Sequence, residues 1–282
     1  MKDINLLKKS ISPKTRVIYF ETPVNPTLEQ IDIRAVCQVA KSMNKKRKAK
    51  EKIHVIMDNT FATPFCQRPL SMGVDIVVNS LTKNIGGFGT DIGGAVVAPK
   101  KYKADLFLFR KDFGGVMPAK SAWPILVYGL SSLDLRARKQ QATAMKVAEF
   151  LEKHKKVKYV RYPGLRSFPQ RQLAMKQMRD FDGNFAPGIM IYFVLKGSRQ
   201  QAFKKGKKMV NTIARHAYAL TLAVSLGQIR TLIEMPSSMT HSMVPEESKA
   251  EGDVDPGGIR IAIGLEEPED IIRDLRVTLS RI

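Results

Sequence analysis

The sequence lacks the long apolar run and the leader that mark membrane and secreted proteins. Hydrophobic residues make up 44% of the 282 positions, yet no stretch approaches the roughly 20 consecutive apolar residues of a membrane-spanning helix. Residues 1–5 do not open a signal peptide. We therefore expect a soluble, cytoplasmic protein with no membrane partner, and one with enough apolar residues to build a substantial core.

Cysteine is also scarce. The two cysteines, Cys37 and Cys66, stand in no spacing that is typical of a metal site or a redox pair. We predict that they are buried free thiols in a reducing compartment.

Acidic residues are few beside the 47 lysines and arginines, which gives a formal net charge of +21. Such an excess favours an anionic partner. The densest basic run covers residues 45–52, between a predicted helix and a predicted strand, where a solvated connection is expected. The other positive charges are spread along the chain without interleaved aromatic residues, so a nucleic-acid partner is not predicted. A generally basic proteome would give the same composition.

One glycine-rich stretch contains the best candidate for a reactive residue. Residues 74–78 form an apolar, β-branched run that predicts a buried strand, and the following stretch, residues 79–94, contains Lys83 and five glycines. A lysine that forms a Schiff base must lose its proton, which burial beside another cation promotes. Ser80 and Thr82 lie two positions apart, so in an extended segment both hydroxyls would point the same way, as phosphate ligands would need to. A solvated glycine turn is the alternative.

A carboxylate precedes this stretch at the end of another predicted strand, residues 54–58. Ligands of α/β sheets collect at the carboxyl ends of the strands, so Asp58 and Lys83 are expected at one edge. A Schiff-base lysine and a carboxylate that keeps a pyridine nitrogen protonated suit pyridoxal phosphate. The alternative is that Asp58 caps the next helix.

A strand is also predicted at residues 16–21 and a helix at residues 31–43, and with the strands at residues 54–58 and 74–78 they form a parallel α/β pattern. Residues 93–98 are predicted to form a further strand. A long helical stretch, residues 119–154, is followed by alternating short strands and helices, which are typical of a smaller α+β domain. In that part, Arg260 interrupts an apolar strand. A buried arginine needs an acidic side chain or a ligand carboxylate, unless it faces water from an edge strand.

Several motifs carry a family resemblance that runs through nearly the whole chain. They are residues 21–27 (ETPVNPT), 57–64 (MDNTFATP), 67–70 (QRPL), 80–83 (SLTK) and 237–242 (SSMTHS). The chain resembles the Cys/Met-metabolism branch of the fold-type I pyridoxal-phosphate enzymes. This branch includes cystathionine γ-synthase, cystathionine γ-lyase, O-acetylhomoserine sulfhydrylase and methionine γ-lyase.

The resemblance implies an aspartate-aminotransferase-like α/β large domain, here residues 1–134, and a smaller α+β domain, residues 135–282. It implies pyridoxal 5'-phosphate as cofactor and a homo-oligomer, since relatives are tetramers built from catalytic dimers. It also implies roles for individual residues. Lys83 is catalytic and, with Asp58, Ser80, Thr82 and Asn25, binds the cofactor, whereas the substrate-binding residues are Arg260, Ser225, Asn25, Thr240, Lys111 and Asp112.

The implied reaction is γ-elimination of methionine to methanethiol, ammonia and 2-oxobutanoate. A Lys–Asp pair near the substrate side chain resembles methionine γ-lyase, and Lys111 and Asp112 stand at that place. A surface Lys–Asp pair is the plain alternative. Cystathionine γ-lyase or γ-synthase activity and O-acetylhomoserine sulfhydrylase activity stay open.

The sequence departs from the family pattern at the N-terminus. Relatives begin well upstream, with an arm that reaches another subunit, a phosphate-binding turn and a tyrosine that stacks on the cofactor. We therefore expect a chain that lacks several sheet strands and leaves a raw sheet edge open to association. We also expect weak cofactor binding and little turnover from this chain alone. It would then be a fragment, half of a split enzyme, or a non-catalytic remnant.

Overall fold

A computed structural model of the protein describes residues 3–240 and 254–282. Within these residues the chain forms a four-stranded and a five-stranded β-sheet, each with helices packed against it. No helix in the described ranges is long and apolar enough to cross a membrane.

The first sheet contains the two strands that the sequence predicts to end at the site. Its strands are β1 (Val17–Glu21), β2 (His54–Asp58), β3 (Ile76–Ser80) and β4 (Gly94–Val97), in that spatial order. The predicted parallel pattern is confirmed for β1, β2 and β3. Strand β4 is antiparallel to β3, so the chain returns beside β3 after the lysine stretch.

Two helices lie N-terminal to β2. Helix α1 spans Ile4–Ser10, and helix α2 spans Ile33–Asn44 with Asp32 as its N-cap. The buried face of α2 joins the core formed by β1, β2 and β3. Cys37 is half-buried and Cys66 is buried, both as free thiols, which agrees with the prediction for Cys66 and in part for Cys37.

The middle of the chain is helical but interrupted. The helices are α3 (Thr63–Cys66), α4 (Lys103–Asp112), α5 (Ala119–Pro124) and α6 (Leu133–Lys153), with a π-helical turn at Ile125–Leu130. Helix α4 buries none of its residues. The predicted domain boundary between residues 134 and 135 lies at the start of α6, and the division into two domains stays a prediction.

The second sheet has the order β5-β6-β9-β8-β7. Helices α6, α8 and α9 pack on it or on one another, and this part holds the largest buried apolar cluster of the described residues. Because β9 lies between β6 and β8, the alternative of a solvent-facing edge arginine at position 260 is wrong. The elements are β5 (Val157–Arg161), α7 (Arg171–Gln177), β6 (Met190–Leu195), α8 (Arg199–His216), β7 (Leu220–Leu222), β8 (Thr231–Glu234), β9 (Gly258–Ala262) and α9 (Pro268–Ser280).

Candidate active site

Lys83 lies in a tight turn directly after β3. The turn, Leu81–Ile85, is π-helical, and Lys83 itself departs from helical geometry with φ −94° and ψ −136°. The expectation of an extended segment with parallel Ser80 and Thr82 hydroxyls is therefore wrong. The Thr82 hydroxyl accepts a hydrogen bond from the Gly93 amide at 3.0 Å and lies 3.4 Å from the Gly93 carbonyl oxygen. The turn begins the connection between β3, which ends at Ser80, and β4, which pairs antiparallel with β3.

A buried arginine on α6 holds the end of this lysine turn. The Arg136 guanidinium donates to the carbonyl oxygens of Asn84 at 3.0 Å, Ile85 at 3.2 Å and Gly129 at 2.7 Å. These bonds satisfy carbonyl groups at the turn's end, which would otherwise lack partners. The sequence analysis missed Arg136. Its signal was available, because Arg136 shares helical spacing with the apolar residues Leu133 and Ala137.

The Lys83 amine faces the second sheet. Its Nζ donates to Ser225 Oγ at 3.0 Å, and the side chain is half-buried. Burial lowers the pKa of Lys83, the nearby Arg260 guanidinium lowers it further, and the Glu234 carboxylate opposes both effects. In this fold, the cation that was expected to lower the pKa of a buried Lys83 is Arg260.

Arg260 is almost fully buried and contacts residues from both sheets. Its Nη2 lies 2.8 Å from Glu234 Oε1 and donates to the Ser225 carbonyl oxygen at 3.0 Å. Its Nη1 donates to Asn25 Oδ1 at 2.9 Å, and Asn25 follows β1 of the first sheet. Of the two partners expected for this arginine, an acidic side chain or a ligand carboxylate, the structure shows an acidic side chain.

The acidic partner, Glu234, was missed by the sequence analysis. It ends the apolar strand β8 and lies opposite Arg260 in the β8–β9 pairing. Burial raises the pKa of Glu234, and Arg260 acts in the opposite direction. Thr240 donates to Glu234 Oε1 at 3.1 Å, while Glu234 Oε2 is buried without a hydrogen-bond partner in the described part of the chain. A charged residue at the end of an apolar strand was the available signal.

Asp58 ends β2 next to the lysine strand. Its Oδ1 accepts from the Thr60 amide at 2.8 Å, and Thr60 Oγ1 in turn accepts from the Ser80 amide at 2.8 Å. Thr60 thus connects the Asp58 carboxylate to the strand end that leads to Lys83. The alternative that Asp58 caps the next helix is wrong, since α3 begins after Ala62 and has no side-chain cap.

Tyr19 of β1 also faces Asp58. Its hydroxyl donates to Asp58 Oδ2 at 3.4 Å, and its side chain is 55% exposed. Partial burial and the Asp58 charge raise the pKa of Tyr19. Sequence reasoning missed Tyr19, whose contact depends on the parallel register of β1 and β2.

The predicted Lys111–Asp112 pair stands apart from these contacts. Both residues are exposed at the C-terminal end of α4. In residues 3–240 and 254–282, no hydrogen bond or ion pair joins either of them to Lys83, Asp58 or Arg260. The last two residues of the predicted motif at 237–242, His241 and Ser242, lie outside the described residues.

The donor set brought together here fits pyridoxal phosphate. It combines a half-buried amine of lowered pKa, a carboxylate at a neighbouring strand end and two hydroxyl residues at the lysine turn. An arginine beside the amine offers a carboxylate-binding group, although Glu234 and Asn25 already contact its two terminal nitrogens.

Comparisons with known proteins agree with this chemistry. The family model described as "Cys/Met metabolism PLP-dependent enzyme" matches residues 1–280. The L-methionine gamma-lyase of Treponema denticola is 40% identical over 282 residues, covering 100% of this chain and 65% of that protein. The cystathionine beta-lyase of Lactococcus lactis subsp. cremoris is 34% identical, covering 100% of this chain and 68% of that protein.

Solved structures agree as well. The cystathionine gamma synthase of Xanthomonas oryzae pv. oryzae, in complex with cystathionine, superposes with a TM-score of 0.86 at 34% identity, covering 99% of this chain and 67% of that one. The predicted fold class is confirmed. The chain spans about 65% of the length of the methionine gamma-lyases that it matches. The chain belongs to the Cys/Met-metabolism family of pyridoxal-phosphate-dependent enzymes.

Proposed function

We propose that the protein containing this chain cleaves the γ-carbon–sulfur bond of methionine and releases methanethiol, ammonia and 2-oxobutanoate. The observation that carries the proposal is the position of the Lys83 amine, 3.0 Å from Ser225 Oγ and beside the buried Arg260. Relatives named L-methionine gamma-lyase, at 36–41% identity, support this choice of substrate.

Bound pyridoxal phosphate would supply an electron sink for carbanions of the substrate. Lys83 would hold the cofactor and then carry a proton to and from the substrate, for which its lowered pKa is suited. Asp58 would bind the pyridine nitrogen, while Ser80 and Thr82 would bind the phosphate. Asn25, already hydrogen-bonded to Arg260, would position the arginine for cofactor and substrate.

Arg260 would bind the α-carboxylate of the substrate through its planar guanidinium. Its Nε is buried without a hydrogen-bond partner among the described residues, so the group retains unused donor capacity. Ser225 and Thr240 would line the substrate site through their contacts with Lys83 and Glu234. Lys111 and Asp112 belong to the proposal through the family resemblance alone.

Cystathionine is the second candidate substrate, and one observation favours it. Glu234 Oε2 is buried without a hydrogen-bond partner in the described part of the chain. Cystathionine carries a second ammonium group that could bind this carboxylate, whereas methionine has only its α-ammonium group. The cystathionine gamma-lyase of Lactobacillus plantarum, whose solved structure is 31% identical in sequence, is consistent with this alternative.

The test compares both substrates with the same protein. Purified protein with added pyridoxal phosphate is incubated with methionine or with cystathionine, and 2-oxobutanoate, methanethiol and cysteine are quantified. Turnover of methionine with equal yields of methanethiol and 2-oxobutanoate supports the first candidate, and cysteine release from cystathionine supports the second. Lys83→Ala serves as the inactive control. Absence of product from both substrates would favour a non-catalytic remnant.

We also propose that the protein is cytoplasmic and works as a homo-oligomer. An apolar surface supports the second part. On and after α4, the side chains of Phe107, Phe109 and Phe113 are 59%, 65% and 74% exposed, and the rings of the last two stack at 4.3 Å. Aromatic area of this size at the surface is typical of an interface between proteins.

Light scattering would measure the mass in solution and test the oligomer. Wild-type protein should have a mass that is a multiple of the single chain. Phe109→Asp should reduce it, because an uncompensated charge would be buried in the interface. The matched control is Val277→Asp, at an exposed apolar position on α9. A single-chain mass for wild type, or equal masses for both variants, would contradict the proposal.

A further inference from the structure

A cavity lies at the amino-terminal end of the first sheet's parallel strands, whereas Lys83 lies at their carboxyl end. It has a volume of about 550 Å³ and lies beside α2 and the start of β2. His54, the first residue of β2, lines it, whereas Lys83 follows the carboxyl end of β3. The cavity is therefore separate from the candidate active site, and it adjoins the basic run at residues 45–52.

Four cationic side chains line this cavity from three segments of the chain. Arg34 and Lys41 lie two turns apart on α2, Lys52 precedes β2, and Lys101 precedes α4. None of the four forms an ion pair within residues 3–240 and 254–282. Their charges are therefore available to a ligand.

The other titratable groups of the cavity offer little competing negative charge. Among the described residues that line the cavity, the one carboxylate is that of Asp75, which already accepts a hydrogen bond from the Val55 amide at 2.8 Å. Burial raises the pKa of Cys37 to about 11, so its thiol is neutral at physiological pH. His54 Nδ1 is 3.0 Å from the Tyr102 hydroxyl, and the Lys101 Nζ lies 4.8 Å from the Tyr102 ring centre, which helps to fix the position of Lys101.

We propose that this cavity binds the phosphate chain of a small oligophosphate, either inorganic tripolyphosphate or a nucleoside triphosphate. Four cations around one concave site focus positive potential on a multiply charged anion, and the arginine adds a planar fork that suits phosphate. The volume lies in the range of small-molecule pockets, about 300–1,000 Å³. A long nucleic acid would instead need an extended basic groove with stacking aromatic residues.

The experiment is calorimetric titration of the purified chain with tripolyphosphate, ATP, orthophosphate and adenosine. Lys83→Ala protein is used throughout, so that any phosphate binding that depends on the Lys83 amine is removed. The test variant adds Lys41→Gln and Lys52→Gln. The control variant adds Lys204→Gln and Lys208→Gln, which remove the same charge from exposed positions on α8. Circular dichroism checks that both variants fold.

The proposal expects saturable binding of tripolyphosphate and ATP, much weaker binding of orthophosphate, and no binding of adenosine. The Lys41/Lys52 variant should bind at least tenfold more weakly, and the control should bind as the parent does. Equal affinities for tripolyphosphate and ATP identify the phosphate chain alone as the ligand, and tighter ATP binding identifies a nucleoside triphosphate. The proposal is overturned by equal losses in both variants, by no saturable binding of tripolyphosphate or ATP, or by equally tight binding of orthophosphate. Because no step requires turnover, failure here leaves the proposed lyase reaction untouched.

Discussion

The protonation state of Lys83 depends on burial and on two charged neighbours that are distant in sequence. Burial and Arg260 lower its pKa below the ordinary 10.5, and Glu234 acts against them. The neutral amine is the form that reacts with an aldehyde, so a lower pKa moves the rise of reactivity to lower pH. We expect the rate at which pyridoxal phosphate labels Lys83 to reach half its maximum below pH 10.5.

Peptide mapping after borohydride reduction would measure this rate across pH. The exposed Lys204 and Lys208 give an internal reference within the same sample. Glu234→Gln should move the midpoint of Lys83 labelling to lower pH, because it removes the negative charge that raises the pKa of Lys83. Midpoints for Lys83 that coincide with those of the exposed lysines would contradict this account.

The Arg260–Glu234 pair should matter strongly for stability. The two side chains are 2% and 1% exposed and their charged atoms lie 2.8 Å apart. Removing one partner leaves a buried charge without compensation, which costs about 3–5 kcal/mol. Glu234→Ala should therefore lower the free energy of unfolding by about this amount, measured by chemical denaturation.

The matched control is Glu269→Ala, which removes the exposed partner of Lys146. Its free energy of unfolding should change little, since exposed ion pairs contribute little. Equal effects of the two substitutions would show that the buried pair has no special role in the fold.

Some of these residues could be predicted from sequence and others could not. Asp58 ends a recognisable strand pattern, Arg260 interrupts one, and Lys83 lies in the glycine-rich stretch that follows one, so the sequence of a single chain shows them. It was predictable that a buried Arg260 would need a partner, either an acidic side chain or a ligand carboxylate. The identity of the partner was not, because Glu234 meets Arg260 only through the pairing of β8 with β9.

At the scale of elements, the lysine turn depends on a close approach between two backbones. Gly129 lies in the π-helical turn Ile125–Leu130, and a Cβ there would be 2.6 Å from the Ile85 carbonyl oxygen and 2.7 Å from that of Gly86. Both contacts involve backbone and cannot relax by side-chain rotation. Gly129→Ala should therefore cost about 1–3 kcal/mol, as overpacking does, and should reduce the yield of cofactor attached to Lys83.

Gly115→Ala is the control, since a Cβ at that position meets nothing within 4 Å. Denaturation curves and labelling yields are measured on both variants and on wild type. If Gly129→Ala matched the control in both measurements, the lysine turn would not depend on this contact.

The elements themselves were largely predictable. Strands β1, β2 and β3 and helix α2 follow from the hydrophobic pattern, with boundaries that differ by at most two residues, and the predicted apolar strand around Arg260 is β9. The lysine turn was not predictable, because the sequence after Ser80 is compatible with an extended segment or a loop. Its π-helical geometry accompanies the antiparallel return of β4 beside β3. Helix α4 shows that an apolar segment can lie entirely at the surface of the single chain.

At the scale of the whole molecule, the candidate site combines residues that follow strands of the first sheet with residues of the second sheet and its connections. Asn25, which follows β1, contacts Arg260 of β9, and Gln177 of α7 donates to Gln30 at 3.0 Å. These contacts explain why the site residues are scattered over more than two hundred positions. The relatives are about half as long again as this chain, so turnover, substrate and assembly belong to the proposals above.

The most direct test of the account is covalent attachment of the cofactor. The purified chain is mixed with pyridoxal phosphate, reduced with borohydride, digested and mapped by mass spectrometry, with Lys83→Ala in parallel. The account predicts one dominant modified peptide that contains Lys83. Before reduction, it also predicts the absorbance band of a Schiff base between the cofactor and Lys83, which the variant should lack. Modification spread evenly over the exposed lysines, unchanged in Lys83→Ala, would contradict the assignment of Lys83 as the cofactor-bearing residue.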